Sequence, residues 1–428
     1  MGMDKKEYLI LTIIATFSIV IGKLATETPL DHFLITKAIE SAKLTAIMFW
    51  ETWWALVLGF VIAGAVESWV SKEKITNYLE GEGLKELGIA TFFGFVSSSC
   101  SFSAIATAKN LFKKGASAAA SLAAFMFAST NLVIEIGLVM FVLLGWQFVL
   151  ADFVGGILLI LMMAFIFKYL IPDVNIERAR QHVINQEGVR ETDPVCGMDV
   201  DINKANYVKK HDGKKYYFCS KKCMESFDPS RLNQKSIKEN ITSLEGWKSL
   251  ADKQIKEWGM LYDDIILGFI LAGIIGAFIP KKIWISIFEG AILDVPFSVL
   301  LLSAISVGVG IITFVCSVGN VPFAAVLWSN GLPFGSVLSF IYADLIIPPI
   351  MDAYKKYYGL KFAAILILTI FLSATITGSI IHHLFNLANL IPQISEGIAE
   401  REVVANYKVF LNLVFTVVFV FLYYLHKK

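Results

Sequence analysis

Apolar residues in this chain gather into runs long enough to cross a hydrocarbon core of about 30 Å, which takes roughly 20 helical residues. Such runs predict spans at 8–22, 44–66, 117–144, 147–171, 262–279, 332–351, 362–386 and 406–425. The first follows Lys5 and Lys6 as a signal peptide would. No small-x-small cleavage site follows it and further spans do, so it is read as a span. Two more apolar stretches, 87–112 and 296–330, are interrupted by Ser97-Ser98-Ser99-Cys100-Ser101-Phe102-Ser103 and by Cys316-Ser317-Val318-Gly319-Asn320-Val321-Pro322. Non-helical backbone at membrane depth persists only where protein or a water-filled cavity satisfies it. The breaks therefore predict two re-entrant hairpins at a transport site; the alternative is a pair of ordinary spans with serine-rich kinks.

The pattern also repeats. Leu58-Gly59-Phe60-Val61-Ile62-Ala63-Gly64 returns as Leu267-Gly268-Phe269-Ile270-Leu271-Ala272-Gly273, and Glu80-Gly81 as Glu289-Gly290, both at an offset of 209. Past a short insertion the offset becomes 216, where Cys100 falls on Cys316 and Gly115 on Gly331. Lys109, Lys113 and Lys114 follow the first break, whereas the equivalent loop Trp328-Ser329-Asn330-Gly331 is uncharged. Lys and Arg accumulate in short cytoplasmic loops, so the two loops belong on opposite faces and the halves are inverted. Lys281 and Lys282 alone fall on the wrong side of this scheme. The expected fold is an all-α polytopic membrane protein of 8 to 10 membrane helices, an inverted repeat with two re-entrant hairpins, plus a small α+β metal-binding insert. Its regions are an N-terminal transmembrane half (1–172), a cytoplasmic insert (173–260) and a C-terminal transmembrane half (261–428), in the inner membrane.

Composition narrows the function. Of 428 residues 56% are hydrophobic and 17% charged, with a net charge of +1, which excludes a disordered chain and a nucleic-acid binder built on a basic face. Five cysteines are too few for a disulfide-stapled secreted domain. There is no Gly-x-x-x-x-Gly-Lys-[Ser/Thr] loop, no Asp-Lys-Thr-Gly-Thr and no His-Glu-x-x-His, so an ATP-driven pump or a metalloprotease has no recognisable machinery and the chain reads as a non-enzyme.

Three cysteines lie in the insert. Cys219 and Cys223 sit one helical turn apart, and Cys196 lies in a Pro-Val-Cys-Gly-Met turn; thiolates so placed are soft ligands for Cu(I), Zn(II), Ag(I) or As(III). The segment from about 192 to 230 carries Asp193-Pro194-Val195-Cys196-Gly197-Met198, Tyr216-Tyr217-Phe218-Cys219-Ser220, Cys223 and Phe227, and on these it resembles the YHS metal-binding module. The resemblance implies a β-hairpin and helix holding a metal ion (Cu, Zn or another soft metal) on Cys196, Cys219 and Cys223. The bland alternative is a structural zinc knuckle or a docking unit.

The other two cysteines, Cys100 and Cys316, stand one in each break. With Ser99, Ser101, Ser317 and Asn320 they form the candidate transport site, since a half-helix starting near Ser101 or Ser317 aims free N–H groups and its positive end at the pocket. The alternative is that both cysteines are small helix-packing residues. Asn131 and Glu135 are expected one turn apart on one helix face, with Asp344 in the other half; intramembrane carboxylates face a bundle interior, either as proton carriers or as structural hydrogen-bond partners. Glu51, Trp53, Trp54, Glu67 and Trp69 read as interface anchors, and His382-His383 as an interfacial pair.

Both membrane halves, about 40–172 and 260–390, resemble the ArsP/YraQ-type permeases. The likeness rests on the Ser-Cys-Ser break, the Lys114-Gly115 turn, the Ala128-Ser129-Thr130-Asn131-Leu132-Val133-Ile134-Glu135-Ile136 stretch, and the second-half Cys316-Ser317 and Ala343-Asp344. It implies a secondary permease exporting a soft metal or metalloid, an arsenical or a Cu/Ag-type ion. Its partners would be the lipid bilayer, that substrate and a metallochaperone, with no nucleic acid. Many relatives carry Cys-Ser-Cys in the first break, where Phe102 stands here, so a transporter of an oxyanion or sulfur compound regulated by the insert, or a non-transporting metal receptor, remains as the alternative.

Overall fold

The computed structural model describes residues 5–24, 26, 29–69, 83–97, 101–187, 190–192, 199–201, 205–211, 214–227, 241–285, 297–313, 315, 317–393 and 407–427. The first half runs α1 (Lys5–Leu24), α2 (Leu30–Trp69), α3 (Leu84–Val96), α4 (Ser101–Lys113), α5 (Ala119–Ala128), α6 (Ile134–Leu143), α7 (Trp146–Leu170) and α8 (Asp173–Glu187). The insert contributes β1 (Arg190–Thr192), β2 (Asp199–Asp201), β3 (Tyr207–His211), β4 (Lys214–Phe218) and α9 (Lys221–Glu225). The second half continues as α10 (Leu244–Phe278), α11 (Lys281–Ile285), α12 (Ser298–Thr313), α13 (Ser317–Ser329), α14 (Phe334–Ile346), α15 (Pro348–Tyr358), α16 (Leu360–Leu387) and α17 (Tyr407–Lys427).

Among the described residues four helices, α2, α7, α16 and α17, are long and apolar enough to cross a membrane, and the bent pair α14 and α15 makes a fifth. Two spans expected to be continuous are not. The 117–144 stretch breaks between α5 and α6, because Ser129 to Val133 leave the helix and Asn131 turns its amide to a partner in the other half. The 332–351 stretch bends by 48° at Ile347, where Pro348 and Pro349 supply no N–H to continue the ladder and start a new helix instead.

The helices that carry the seven-residue repeat pack on each other. Helix α2 runs antiparallel to α10, with Phe33 on Phe278 at one end and Gly64 on Gln254 at the other. Contacts across this crossing come in pairs offset by 209 residues. Gly273 lies against Thr45 and Ser41, and Gly64 lies against Gln254 and Leu250. The Phe49 and Phe269 rings are 5.6 Å apart, and their counterparts Trp258 and Phe60 4.9 Å. Further on, α4 and α13 are 13 residues each and begin on serines 216 positions apart. Left-handed glycines close the turns after them, Gly115 (φ 110°) and Gly331 (φ 97°), and a second pair, Gly145 (φ 101°) and Gly359 (φ 81°), precedes α7 and α16. A side chain at any of the four would be strained.

Thirteen residues of α-helix rise only about 20 Å, too little to cross. Helix α3 starts at Leu84 in a groove shared with Ile160 and Leu161 and reaches Phe95 beside Phe153, 6.2 Å from ring to ring. Helix α4 returns from Ser101 to Phe112, which stacks on Phe362 next to Phe167 and lies under Arg180 of α8. Both legs therefore open toward the α8 end of the bundle, with α5 packed against each. In the second half the direction is reversed. Val299 and Ser303 of α12 meet Ser336, and α13 ends with Trp328 on Phe148 and Phe334, at the Gly145 end.

Helix α8 brackets the opening of the first hairpin. Arg180 donates to the carbonyl of Ala116 at 3.2 Å, and His182 lies against Gly359. The last helix, α17, is sewn into α2: Asn412 donates to the carbonyl of Trp50 at 2.8 Å and accepts from the N–H of Trp54 at 3.1 Å, standing in for one rung of the α2 ladder. Lys408 pairs with Glu51 at 3.2 Å, and the Trp53 indole N–H donates to Thr416 at 2.9 Å. Glu51 and Trp54 are thus buried in a helix–helix seam and Trp53 packs on Trp258 and Phe419. These three are not the interface anchors the sequence predicts.

Candidate functional site

The two hairpin tips meet. Ser101 and Ser317, first residues of α4 and α13, bring their hydroxyls to 3.3 Å of each other. Both donate to the same oxygen, Oδ2 of Asp344, Ser101 at 3.2 Å and Ser317 more closely. The other carboxylate oxygen, Oδ1, accepts from Asn131 Nδ2 at 3.0 Å, and the same amide donates to Thr130 Oγ1. Asp344 and Asn131 are both fully buried. A bare carboxylate at this depth costs several kcal/mol unless it is hydrogen-bonded, and here donors from both halves converge on it.

Local sequence explains the placement. Asp344 lies in a single 3₁₀ turn, Tyr342–Ile346, that ends α14 ahead of the proline pair, so its side chain leaves the helix surface at the break. Asn131 occupies the matching break between α5 and α6. The half-helices α4 and α13 point their positive ends at the same spot. Asn320, one turn into α13 on the Ser317 face, is fully buried, and neither its amide nitrogen nor its oxygen has a partner among the described residues. The arrangement offers hydroxyl and amide donors around one carboxylate, and the two tips touch each other.

Other sequence-predicted residues fall elsewhere. Glu135 does not share a helix face with Asn131: it sits in the first turn of α6 with its Cα and Cβ against Gly59 of α2. Cys100, Cys316 and Ser99 lie outside the described residues, as does Cys196. In the insert, β3 and β4 form an antiparallel hairpin from Tyr207 opposite Phe218 to His211 opposite Lys214. Phe227 packs between Tyr216 and Phe218, and Ser220 caps α9 by accepting from the Cys223 N–H. That cap brings the Cys219 and Cys223 thiols to 3.6 Å. No cluster of three or more His, Cys, Asp or Glu side chains suited to a metal occurs among the described residues. His382 and His383 pack edge to face, and the Gly335 N–H donates to His382 Nδ1 at 3.5 Å.

Sequence reasoning missed Asp152, buried in the second turn of α7, and Tyr342, whose hydroxyl donates to the Asp152 carbonyl at 3.2 Å. The signal was available: a lone acid inside the apolar run Trp146–Leu170.

Comparison with known proteins gives two matches of wide extent. The family model ArsP_1, described as "Predicted permease", matches residues 38–383. A curated protein of Mycobacterium tuberculosis (strain ATCC 25618 / H37Rv), "Putative permease Rv2963", is 37% identical over 350 residues, covering 82% of this chain and 78% of that one. No solved structure matches.

Proposed function

Because this chain belongs to the ArsP_1 permease family and is a multi-pass membrane transporter rather than an enzyme, we propose that it is a secondary permease exporting a soft metal or metalloid. In this reading the two halves are inverted repeats, and the substrate passes where the re-entrant tips touch. The carrying observation is the junction itself: Ser101 and Ser317, each the residue after a cysteine, bonded to one buried carboxylate from opposite halves. Inverted repeats meeting at half-helix ends near the midplane suit alternating access, since parting one hairpin or the other opens one face at a time. Cys100 and Cys316 would give such a site soft ligands. The insert, in the cytoplasm on this reading, would capture or sense cargo through Cys219 and Cys223, with Cys196 as third ligand, and receive it from a metallochaperone.

The test is efflux of arsenite and of Cu(I) from cells carrying the wild type, Cys100→Ser or Cys316→Ser at equal membrane abundance. Each substitution is expected to lower efflux of the true substrate at least tenfold. Wild-type efflux in both variants would discard the thiol site. The donor-rich tip favours a second reading, an oxyanion or sulfur compound held by Ser101, Ser317, Asn131 and Asn320. Thiosulfate uptake into vesicles that is insensitive to Cys219→Ser would select it.

A further inference from the structure

We infer that Cys219 and Cys223 form a reversible disulfide, closed by exchange with a small anionic disulfide of the glutathione type, so that the insert is a redox switch. The Cys219 thiol donates to Cys223 Sγ at 3.6 Å, and both residues are half-buried, within reach of a small reagent. A disulfide bond is about 2.0 Å long, so closure asks each sulfur to move by less than about 1 Å.

The fold holds the pair from both sides. Cys219 follows Phe218, the buried end of β4, and Cys223 lies in the first turn of α9. Ser220 between them caps that turn by accepting from the Cys223 N–H at 3.3 Å. Phe227, past the end of α9, packs on Tyr216 and Phe218 with its ring 5.1 Å from each. Strand and helix are thus tied together around the sulfurs, which raises the effective concentration of one thiol at the other far above that of a dissolved reagent. Among the described residues no third Cys, His, Asp or Glu completes a metal-binding cluster with them.

Charge selects the reagent. Residues 205–227 carry Lys209, Lys210, Lys214, Lys215, Lys221 and Lys222 against Asp212 and Glu225. Lys221 and Lys222 stand exposed between the two cysteines. Such a surface draws an anionic disulfide toward the thiols.

One protein thiolate attacks a glutathione sulfur, forming a mixed disulfide and releasing one glutathione. The second thiolate attacks the protein sulfur of that mixed disulfide and releases the other. Two protein thiols lose two electrons and two protons, and one glutathione disulfide becomes two glutathione thiols. The closed pair offers no thiolate to a soft cation. In the capture role proposed above, the oxidised insert would be silent; that consequence rests on that reading, whereas the bond does not.

The test reads the bond directly. Purified full-length protein is equilibrated in buffers of rising glutathione disulfide to glutathione ratio, quenched with acid, alkylated and mapped by peptide mass spectrometry. In excess glutathione disulfide a Cys219–Cys223 link is expected to replace alkylation at both positions, to reopen in excess glutathione, and to form undiminished in Cys196→Ser. Cys223→Ser is expected to trap glutathione on Cys219 at least tenfold above the wild type. Alkylation of both thiols in excess glutathione disulfide, glutathione retained on the wild type without a link, or a bridge from either thiol to Cys196 overturns the switch. The readout involves no transport and no metal, so failure of the link and failure of the capture reading are separate results.

Discussion

The two half-helices that meet, α4 and α13, are alike in backbone and unlike in chemistry. Each is a 13-residue helix that starts on a serine, and the two serines touch. Yet the carboxylate they share comes from the second half only: at the offset of 216 Asp344 falls on Ala128 and Asn320 on Ala104, and past the break, where extended Val133 and Ile347 correspond at an offset of 214, Asn131 falls on Leu345. Duplicated backbone brings two half-helix starts to one point. Divergent side chains place a single carboxylate there, where two facing each other would repel.

The largest expected effect tests whether this division of labour is fixed. Asp344→Ala removes the acceptor for Ser101, Ser317 and Asn131 and is expected to reduce transport by about 100-fold or more, leaving buried donors unsatisfied at about 1–3 kcal/mol each. Returning a carboxylate at the equivalent place, in the Ala128→Asp, Asp344→Ala double variant, is expected not to rescue. Ala128 is fully buried with its methyl against Gly94 of α3, so a longer side chain there must displace its packed neighbours. Restored flux in reconstituted vesicles would mean that the halves are still interchangeable.

A middle-sized effect compares the serines. Ser101→Ala and Ser317→Ala each delete one donor to the same oxygen, so each is expected to slow transport roughly tenfold, alike to within about threefold. Neutral hydrogen bonds to a charged acceptor contribute about 1.5–3 kcal/mol. A large loss from one and none from the other, in initial rates at matched protein, would show that a single half holds the carboxylate.

The smallest effect concerns the scaffold crossing, where equivalent glycines are not equally tight. A Cβ at Gly273 would lie 2.0 Å from Thr45 Oγ1, whereas one at Gly64 would meet Gln254 at an ordinary 3.4 Å. Gly273→Ala is expected to destabilise by about 1–3 kcal/mol, and Gly64→Ala by less than about 0.5 kcal/mol. Thermal unfolding in detergent separates the two, and equal shifts would argue that the crossing relaxes symmetrically.

Much of this architecture was legible along the chain because it rests on local signals. Serine and cysteine clusters inside apolar runs mark helix starts at Ser101 and Ser317, and glycines at Gly115 and Gly331 mark turns that need positive φ. The Pro348-Pro349 pair was equally readable as the start of a new segment. What could not be read was decided by partners far away in sequence. Asn131 and Glu135 fit one helix by spacing, but the chain leaves the helix at Asn131 because its amide finds Asp344, 213 positions later. Glu51 and Trp54 mimic interface residues until α17 covers them, and no periodicity in residues 44–66 announces that cover.

That cover has a mechanical consequence. The rung that Asn412 replaces, between Trp50 and Trp54, lies between the two equivalent contacts Thr45–Gly273 and Gly64–Gln254, where α2 crosses α10. Helix α17 lies beyond residues 38–383, the stretch matched by the family model, yet it braces the central strut. A tag or fusion that tugs on the last helix is therefore felt at the crossing of α2 and α10.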